Sequence, residues 1–409
     1  MKASPRTEIA SIVEGGSVTT PLGFIAGAVY AGIKTPGEGK LDVGILASES
    51  ACTVAAMFTR STVKGAPVVV SQRNVADGSA RAIVVNSGIS NVANGPLGIA
   101  DAEEMCRLAA TKLGVPPGDI LVGSTGVIGK PLPMHLIRDA VSRIELCAEG
   151  GHDFARAIMT TDTHPKTRAV RFDGHGRDYT IGAVAKGSGM IHPDMATMFC
   201  FLTTDAPVEL SFLRSALHRA VDDSLNMISV DGDTSTSDTT AIFANGATGG
   251  DPLTASHAAA SAFESALLEV CTSVAKTLAR DGEGATKLIE VRIEGAASRD
   301  EARAAARTVT ASPLVKTAVH GADPNWGRIL MAIGRSGAAI NLDGAGVWLG
   351  GTQVYSGSPA PYDERAVSEY LANENVVIRA DLASGNSTAT AWGCDMSPDY
   401  VHINSDYTT

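Results

Sequence analysis

The chain has 409 residues, 44% of them hydrophobic and 19% charged, a composition that fits one large or two medium folded domains and excludes a disordered or fibrous chain. Its 33 Lys and Arg against 44 Asp and Glu leave a net charge of −11 with no basic cluster, which excludes nucleic acid and anionic membrane as main partners. No apolar run reaches the length of a membrane-spanning helix, and the opening Met1-Lys2-Ala3-Ser4-Pro5-Arg6-Thr7-Glu8 lacks the apolar core of a secretory signal.

The first half alternates short apolar runs with helical stretches. Residues 82–86 (Ala-Ile-Val-Val-Asn) and 120–123 (Ile-Leu-Val-Gly) read as buried strands. Residues 99–113 between them have helical spacing, with Asp101, Glu103 and Glu104 in the first turns, where the helix dipole favours acids. The glycine-rich run 123–130 invites a phosphate-loop reading but fails on count. Five residues separate Gly123 from Gly129 where four are needed, and Pro131 replaces the hydroxyl residue after the lysine. Two readings remain open there: a plain turn after a strand, or the Thr125 hydroxyl and Gly126 N–H aimed at a developing oxyanion.

In mid-chain stands Lys186-Gly187-Ser188-Gly189-Met190-Ile191-His192-Pro193-Asp194-Met195-Ala196-Thr197-Met198. Gly187, Gly189 and Pro193 forbid a plain helix or central strand over residues 186–194. The run 198–202 (Met-Phe-Cys-Phe-Leu) is apolar enough for a buried strand. A threonine at the mouth of such a strand can attack the carbonyl before it. The chain would then break between Ala196 and Thr197 and leave Thr197 with a free α-amine beside its hydroxyl. That amine titrates at roughly 7.7–8.0 when unperturbed, so it can take the hydroxyl's proton. The alternative is a glycine-rich loop feeding an ordinary core strand.

Beyond it, helices are expected at about 209–222 and 261–280, with Phe212, Leu213, Leu217 and Val221 on one face of the first. Residues 231–238 (Asp-Gly-Asp-Thr-Ser-Thr-Ser-Asp) open like a calcium loop. They lack the Gly and Glu that an EF-hand needs at its sixth and twelfth positions, so a turn capping its own backbone is the better reading. Glu283, between Gly282 and Gly284 at a helix end, is either a solvated loop acid or a holder of a substrate ammonium. Ile289, Val291 and Ile293 alternate with charges as in a half-exposed strand, and Ser298-Arg299-Asp300-Glu301 is a capping box opening another helix. Asp323-Pro324-Asn325-Trp326-Gly327-Arg328 reads as a structural anchor, and the polar residues 404–409 as a frayed tail.

The six cysteines are scattered with no C-x-x-C pair, which suggests reduced, buried thiols and a cytoplasmic compartment. Nine dispersed histidines show no H-x-x-x-H or H-E-x-x-H, so no metal site is expected. The fold class is α/β, a layered sandwich of helices on mixed β-sheets. A soft boundary at 284–287 divides a catalytic domain, 1–285, from a smaller C-terminal α/β domain, 286–409.

Taken together, the motifs resemble the ornithine acetyltransferase / glutamate N-acetyltransferase (ArgJ) family. The matching blocks are Val85-Asn86-Ser87-Gly88, Ser124-Thr125-Gly126-Val127-Ile128-Gly129, Met159-Thr160-Thr161-Asp162-Thr163, residues 186–197, Val230-Asp231-Gly232-Asp233-Thr234-Ser235-Thr236, Asp281-Gly282-Glu283-Gly284-Ala285-Thr286-Lys287, Asp323-Pro324-Asn325-Trp326-Gly327-Arg328 and residues 404–409. Eight blocks in order across almost the whole chain make a specific match, and they turn the reading at Thr197 toward self-cleavage. The resemblance implies a self-processing fold shared with certain aminopeptidases, and cleavage between Ala196 and Thr197. It also implies assembly of two α and two β chains, and ping-pong acetyl transfer from N-acetylornithine to glutamate through an acetyl-threonine. Acetyl-CoA is a second candidate donor, and no bound cofactor is implied.

By the same resemblance Thr197 is the nucleophile, Thr125 and Gly126 the oxyanion pair, and Thr160, Lys186, Thr197, Glu283, Asn404 and Thr409 the substrate contacts. One departure stands in Asn86-Ser87-Gly88-Ile89-Ser90-Asn91-Val92, where the family has a polar residue at the position of Ile89. Two other functions compete: a self-processing aminopeptidase or amidase, in which water takes the acyl group, and an uncleaved amino-acid-binding protein.

Overall fold

A computed structural model describes residues 10–34, 36–192 and 198–406. Among them, nine strands form one mixed sheet. These are β1 (Ala10–Ile12), β2 (Phe24–Val29), β3 (Val43–Phe58), β4 (Ser79–Ile89), β5 (Ile120–Val127), β6 (Lys166–Asp173), β7 (Asp178–Lys186), β8 (Phe199–Thr204) and β10 (Thr239–Ala244). The long β3 joins two halves. Its first residues pair with β2 and β4, its last with β10, and the β3–β4 register slips between Ala47 and Cys52. Such an irregularity bends a strand and sharpens its twist.

The bend lets the sheet fold over on itself. On β8, Phe199 and Phe201 pack inward against Leu46, Ile83, Val85 and Leu121 of the other half, whereas Cys200 and Leu202 point outward. The outer face of the β3–β5 half is covered by α1 (Ala66–Asn74), α2 (Gly95–Leu113) and α3 (Met134–Arg143), with Val70, Met105 and Ile137 set against Ile45, Val84 and Val122. The short α4 (Gly151–Ala157) sends Phe154 into the inner layer. α5 (Leu210–Asp222) and α6 (Ala260–Arg280) cover the β6–β8 half through Leu213, Leu217, Phe263 and Leu267. The result is four layers, α/β/β/α.

A second, six-stranded sheet runs β13-β12-β14-β11-β15-β9. It comprises β9 (Ile228–Ser229), β11 (Leu288–Ala296), β12 (Gly346–Leu349), β13 (Thr352–Ser356), β14 (Asn375–Asp381) and β15 (Ser387–Cys394). Around it lie α7 (Arg299–Thr310), α8 (Pro313–His320), α9 (Gly327–Gly334), α10 (Glu364–Leu371) and α11 (Pro398–Asp406). One apolar cluster runs from Phe172 and Ile181 across α6 to Val291 and Val309. The second sheet therefore shares a core with the first, and β9 reaches it from before residue 285.

The α/β class and the strands read at 82–86 and 120–123 stand as expected, inside β4 and β5. Two local expectations change. α2 begins a turn earlier, with Pro96 in its first turn, where a missing N–H costs nothing. Its acids consequently lie past the N-terminal field and pair sideways instead, Glu103 with Arg73 at 2.9 Å and Glu104 with Arg138 at 2.5 Å. The capping box is half formed. Ser298 Oγ accepts from the Glu301 N–H, but the Glu301 carboxylate takes the Ala339 N–H at 2.8 Å, a tertiary partner in place of the local one. All six cysteines are free thiols, and five are buried; Cys147 is exposed. Among the described residues no helix is long and apolar enough to cross a membrane.

Candidate active site

The inner layer opens at one edge into a cavity of about 310 Å³. Its wall takes Thr125 and Gly126 from the end of β5, Lys186 from the end of β7, Phe199 from the start of β8, and Ser237 and Asp238 just before β10. Thr160, Glu283 and Asn404 close it from three separate loops and helices. Six residues singled out from sequence, spread over 280 positions of chain, thus share one space. Ala196, Thr197 and Thr409 lie outside the described residues. Met198, next in the chain to Thr197, lines the cavity.

Thr125 and Gly126 sit opposite Ser87 and Gly88 in the parallel β4–β5 pair. Gly126 has φ +124°, and a side chain there would strike the Gly88 backbone. The Lys186 ammonium donates to Thr125 Oγ at 2.9 Å and to Thr160 Oγ at 3.3 Å. Because the Thr125 oxygen already accepts from a cation, its own O–H is polarised and left to donate elsewhere. Loss of water pushes the Lys186 pKa down, against the pull chiefly of the Asp162 carboxylate.

Beneath this surface lies a buried ion cluster. Lys166 is 1% exposed and donates to Asp162 and Asp281 at 2.5 Å each. Asp162 also accepts the backbone N–H groups of Thr160 (3.0 Å) and Gly187 (2.7 Å), so it fixes two strands of chain that carry cavity residues. Asp281 accepts from the Thr163 N–H and hydroxyl, while Ser188 Oγ donates to the Asp281 carbonyl at 2.7 Å. Burial raises the Asp162 pKa, but the ammoniums of Lys166 and Lys186 and the hydrogen bonds outweigh it and hold the group at about 2, below its ordinary 3.8.

Two outcomes follow from this cluster. A buried cation removed from between two carboxylates leaves uncompensated charge, so Lys166→Met should lose about 3–5 kcal/mol in denaturant unfolding. The depressed Asp162 pKa contributes stability that is complete above pH ~4 and vanishes as pH falls towards ~2, since the unfolded carboxyl protonates first. A thermal-melt series across that window should show the wild type losing this increment, and Asp162→Asn should flatten the fall.

Glu283 is held by its own N–H on the Ser188 carbonyl at 2.9 Å and by Asn404 Nδ2, which donates to its carboxylate at 2.9 Å. The carboxylate lies so close over Gly189 that any side chain at 189 would collide with it. Ser397, just before α11, donates to the Gly284 carbonyl at 2.6 Å, so the tail and the Glu283 loop are tied twice. Residues 398–406 are therefore a helix docked at the cavity rather than a frayed end.

The segment 231–238, read from sequence as a turn capping itself, does more. Asp231 accepts the N–H groups of Met190 (2.6 Å) and Ile191 (2.9 Å), and Thr234 Oγ donates to the His192 carbonyl at 2.9 Å. It thereby grips the loop leading to residue 193, and Ser235, Thr236, Ser237 and Asp238 line the cavity. The signal available in sequence was a dense polar run ahead of the strand Thr239–Ala244, which the fold buries throughout. His192 turns elsewhere, with Nδ1 on Ser229 Oγ at 3.1 Å. The Trp326 ring packs on Tyr355 away from the site, as an anchor should. Ile89, the departure from the family pattern, packs towards the outer helices and not into the cavity. Among the described residues no group of His, Cys, Asp and Glu is arranged to hold a metal.

An ArgJ family model matches residues 25–409. The chain is 49% identical to the arginine biosynthesis bifunctional protein ArgJ of Dehalococcoides mccartyi, over 97% of this chain and 98% of that protein. To the protein of the same name from Symbiobacterium thermophilum it is 50% identical, over 96% and 99%. A crystal structure of an arginine biosynthesis bifunctional protein from Bacillus halodurans matches at 42% identity and a TM-score of 0.49, over 51% of this chain and 98% of that one.

Proposed function

The chain belongs to the ArgJ family, and from that premise we propose that it is the glutamate N-acetyltransferase of arginine biosynthesis. It cuts itself between Ala196 and Thr197, then carries acetyl from N-acetylornithine to glutamate on Thr197, with acetyl-CoA as a second donor to glutamate. The observation that carries this reading is the Lys186 ammonium and the Glu283 carboxylate facing one cavity beside the Thr125–Gly126 pair. An α-amino acid presents the complementary carboxylate and ammonium.

Each step then has a group to perform it. The Thr197 hydroxyl attacks the acetyl carbonyl of N-acetylornithine and gives its proton to its own α-amine. The Thr125 O–H and Gly126 N–H receive the oxyanion of the tetrahedral intermediate. Collapse breaks the C–N bond, the α-amine protonates the leaving ornithine nitrogen, and acetyl stays on Thr197 as an ester. The neutral amine of glutamate attacks that ester through the same oxyanion site and leaves as N-acetylglutamate, returning the proton to the threonine. Lys186 orients the α-carboxylate and Glu283 accepts from the α-nitrogen, an amide N–H in N-acetylornithine and an amine in glutamate, while Thr160 and Asn404 hold the Lys186 and Glu283 side chains in place. Thr409 is added to the substrate contacts on the family resemblance alone.

The two products of cleavage stay interleaved, since β7 of the first pairs with β8 of the second along Ile181–Thr204 to Lys186–Phe199. Two such pairs form an α2β2 assembly. A docked tail keeps water from the acetyl ester, which favours transfer over the hydrolysis of an aminopeptidase or amidase. Deleting residues 407–409 should raise the KM for glutamate and the share of acetyl lost as acetate, measured together in one assay. The function itself is tested by offering N-acetylornithine and acetyl-CoA separately to glutamate. N-acetylglutamate from the first supports the reading; acetate alone would replace transferase with hydrolase.

A further inference from the structure

The two substrates of a ping-pong exchange enter the same cavity in turn. N-acetylornithine and glutamate share an α-carboxylate and an α-nitrogen, but their side chains carry opposite charges, an ammonium and a carboxylate. A fixed charge at the side-chain end would attract one and repel the other by comparable amounts. Lys186 and Glu283 are such fixed charges and suit the shared end. The side-chain end calls for a group that can change its charge.

We propose that the wall made by Ser237 and Asp238 is the side-chain subsite, and that Asp238 serves both substrates there, as a neutral acid donating to the glutamate carboxylate and as a carboxylate accepting from the ornithine ammonium. The inference rests on the acetyltransferase reading and deepens it. Asp238 is 2% exposed and lines the cavity, and its Oδ2 has no hydrogen-bond partner; the same is true of Ser237 Oγ, in a residue 8% exposed. Two unpartnered polar atoms at one cavity wall are costly unless a ligand completes them.

The surroundings favour a group poised between two states. The Asp238 carboxyl is also met by the Ser235 side chain, and among the described residues the cation acting on the group is Lys186 from β7, which lines the same cavity; the N–H of Thr59, just past β3, donates to the Asp238 backbone carbonyl. Burial with so little compensation pushes the Asp238 pKa well above the ordinary carboxylate range. Burial thus favours the protonated form, which can donate. An arriving ammonium stabilises the ionised form, and the proton leaves to solvent through the cavity mouth. It returns when glutamate replaces ornithine.

Asp238→Asn keeps size and donor but cannot ionise. With the two half-reactions measured separately, its KM for N-acetylornithine should rise on the order of tenfold to a hundredfold, the usual loss for a charge-assisted hydrogen bond, while the KM for glutamate stays within about threefold. The intact wild-type enzyme gives an independent reading that no folding defect can blur. Ornithine binding, followed by calorimetry in buffers of different ionisation enthalpy, should release a proton that glutamate binding does not. Equal effects of Asp238→Asn on both half-reactions, or equal proton release with both ligands, overturns the subsite while the transferase reading stands. A wild-type protein that moves no acetyl from N-acetylornithine overturns both.

Discussion

Thr197→Ala is expected to yield a single uncut chain of 42.0 kDa with no measurable acetyl transfer. In the proposed mechanism cleavage and transfer need the same hydroxyl, the first to attack the Ala196 carbonyl and the second to attack the acetyl group. Removing a nucleophile that has its own base typically costs on the order of 10⁶ in kcat. Wild type should appear on a denaturing gel as residues 1–196 and 197–409, at about 20 and 22 kDa in proportion to length. Thr197→Ser separates chemistry from packing. It retains a hydroxyl and should still cut and still transfer, more slowly. Full activity in an uncut alanine variant would sink the covalent mechanism.

Thr125→Ala should lower kcat on the order of 10²–10³, the usual loss for one oxyanion donor, with KM for both substrates changed only a few fold. The reasoning lies in the Lys186 contact: the ammonium occupies the Thr125 oxygen and frees its O–H for the oxyanion. Alanine deletes that donor, yet Lys186 keeps its bond to Thr160 and stays in place. Thr125→Ser restores the hydroxyl and should recover most of the rate. If alanine and serine variants both turn over at the wild-type rate, Thr125 is merely part of a turn.

What could be read from the chain alone divides along a physical line. β4, β5, α5 and α6 were legible because their apolar spacing is local and each buries one face. Lys186, Thr125, Thr160, Glu283 and Asn404 were found through motif resemblance, since no spacing rule joins residues so far apart in the chain. The same distance hid the Asp162–Lys166–Asp281 cluster: two of its members stand in separate motif blocks, and only folding brings both carboxylates to 2.5 Å from the Lys166 ammonium. Asp231 was read only in part for a related reason. Its run of Asp, Thr and Ser does cap itself, with the Asp233 N–H on the Asp231 carboxylate at 3.1 Å, but the same carboxylate also serves Met190 and Ile191, about 40 residues upstream. Glu301 repeats the lesson at a helix start, where Ala339 outcompetes the local partner.

The central claim is the covalent acetyl-threonine, and intact-mass measurement of the purified protein with N-acetylornithine alone tests it most directly. The account predicts that the fragment beginning at Thr197 gains the mass of one acetyl group. Adding glutamate should then remove it, with an equal amount of N-acetylglutamate formed. Steady transfer by a fragment that never carries acetyl, or by a chain that was never cut, would contradict it.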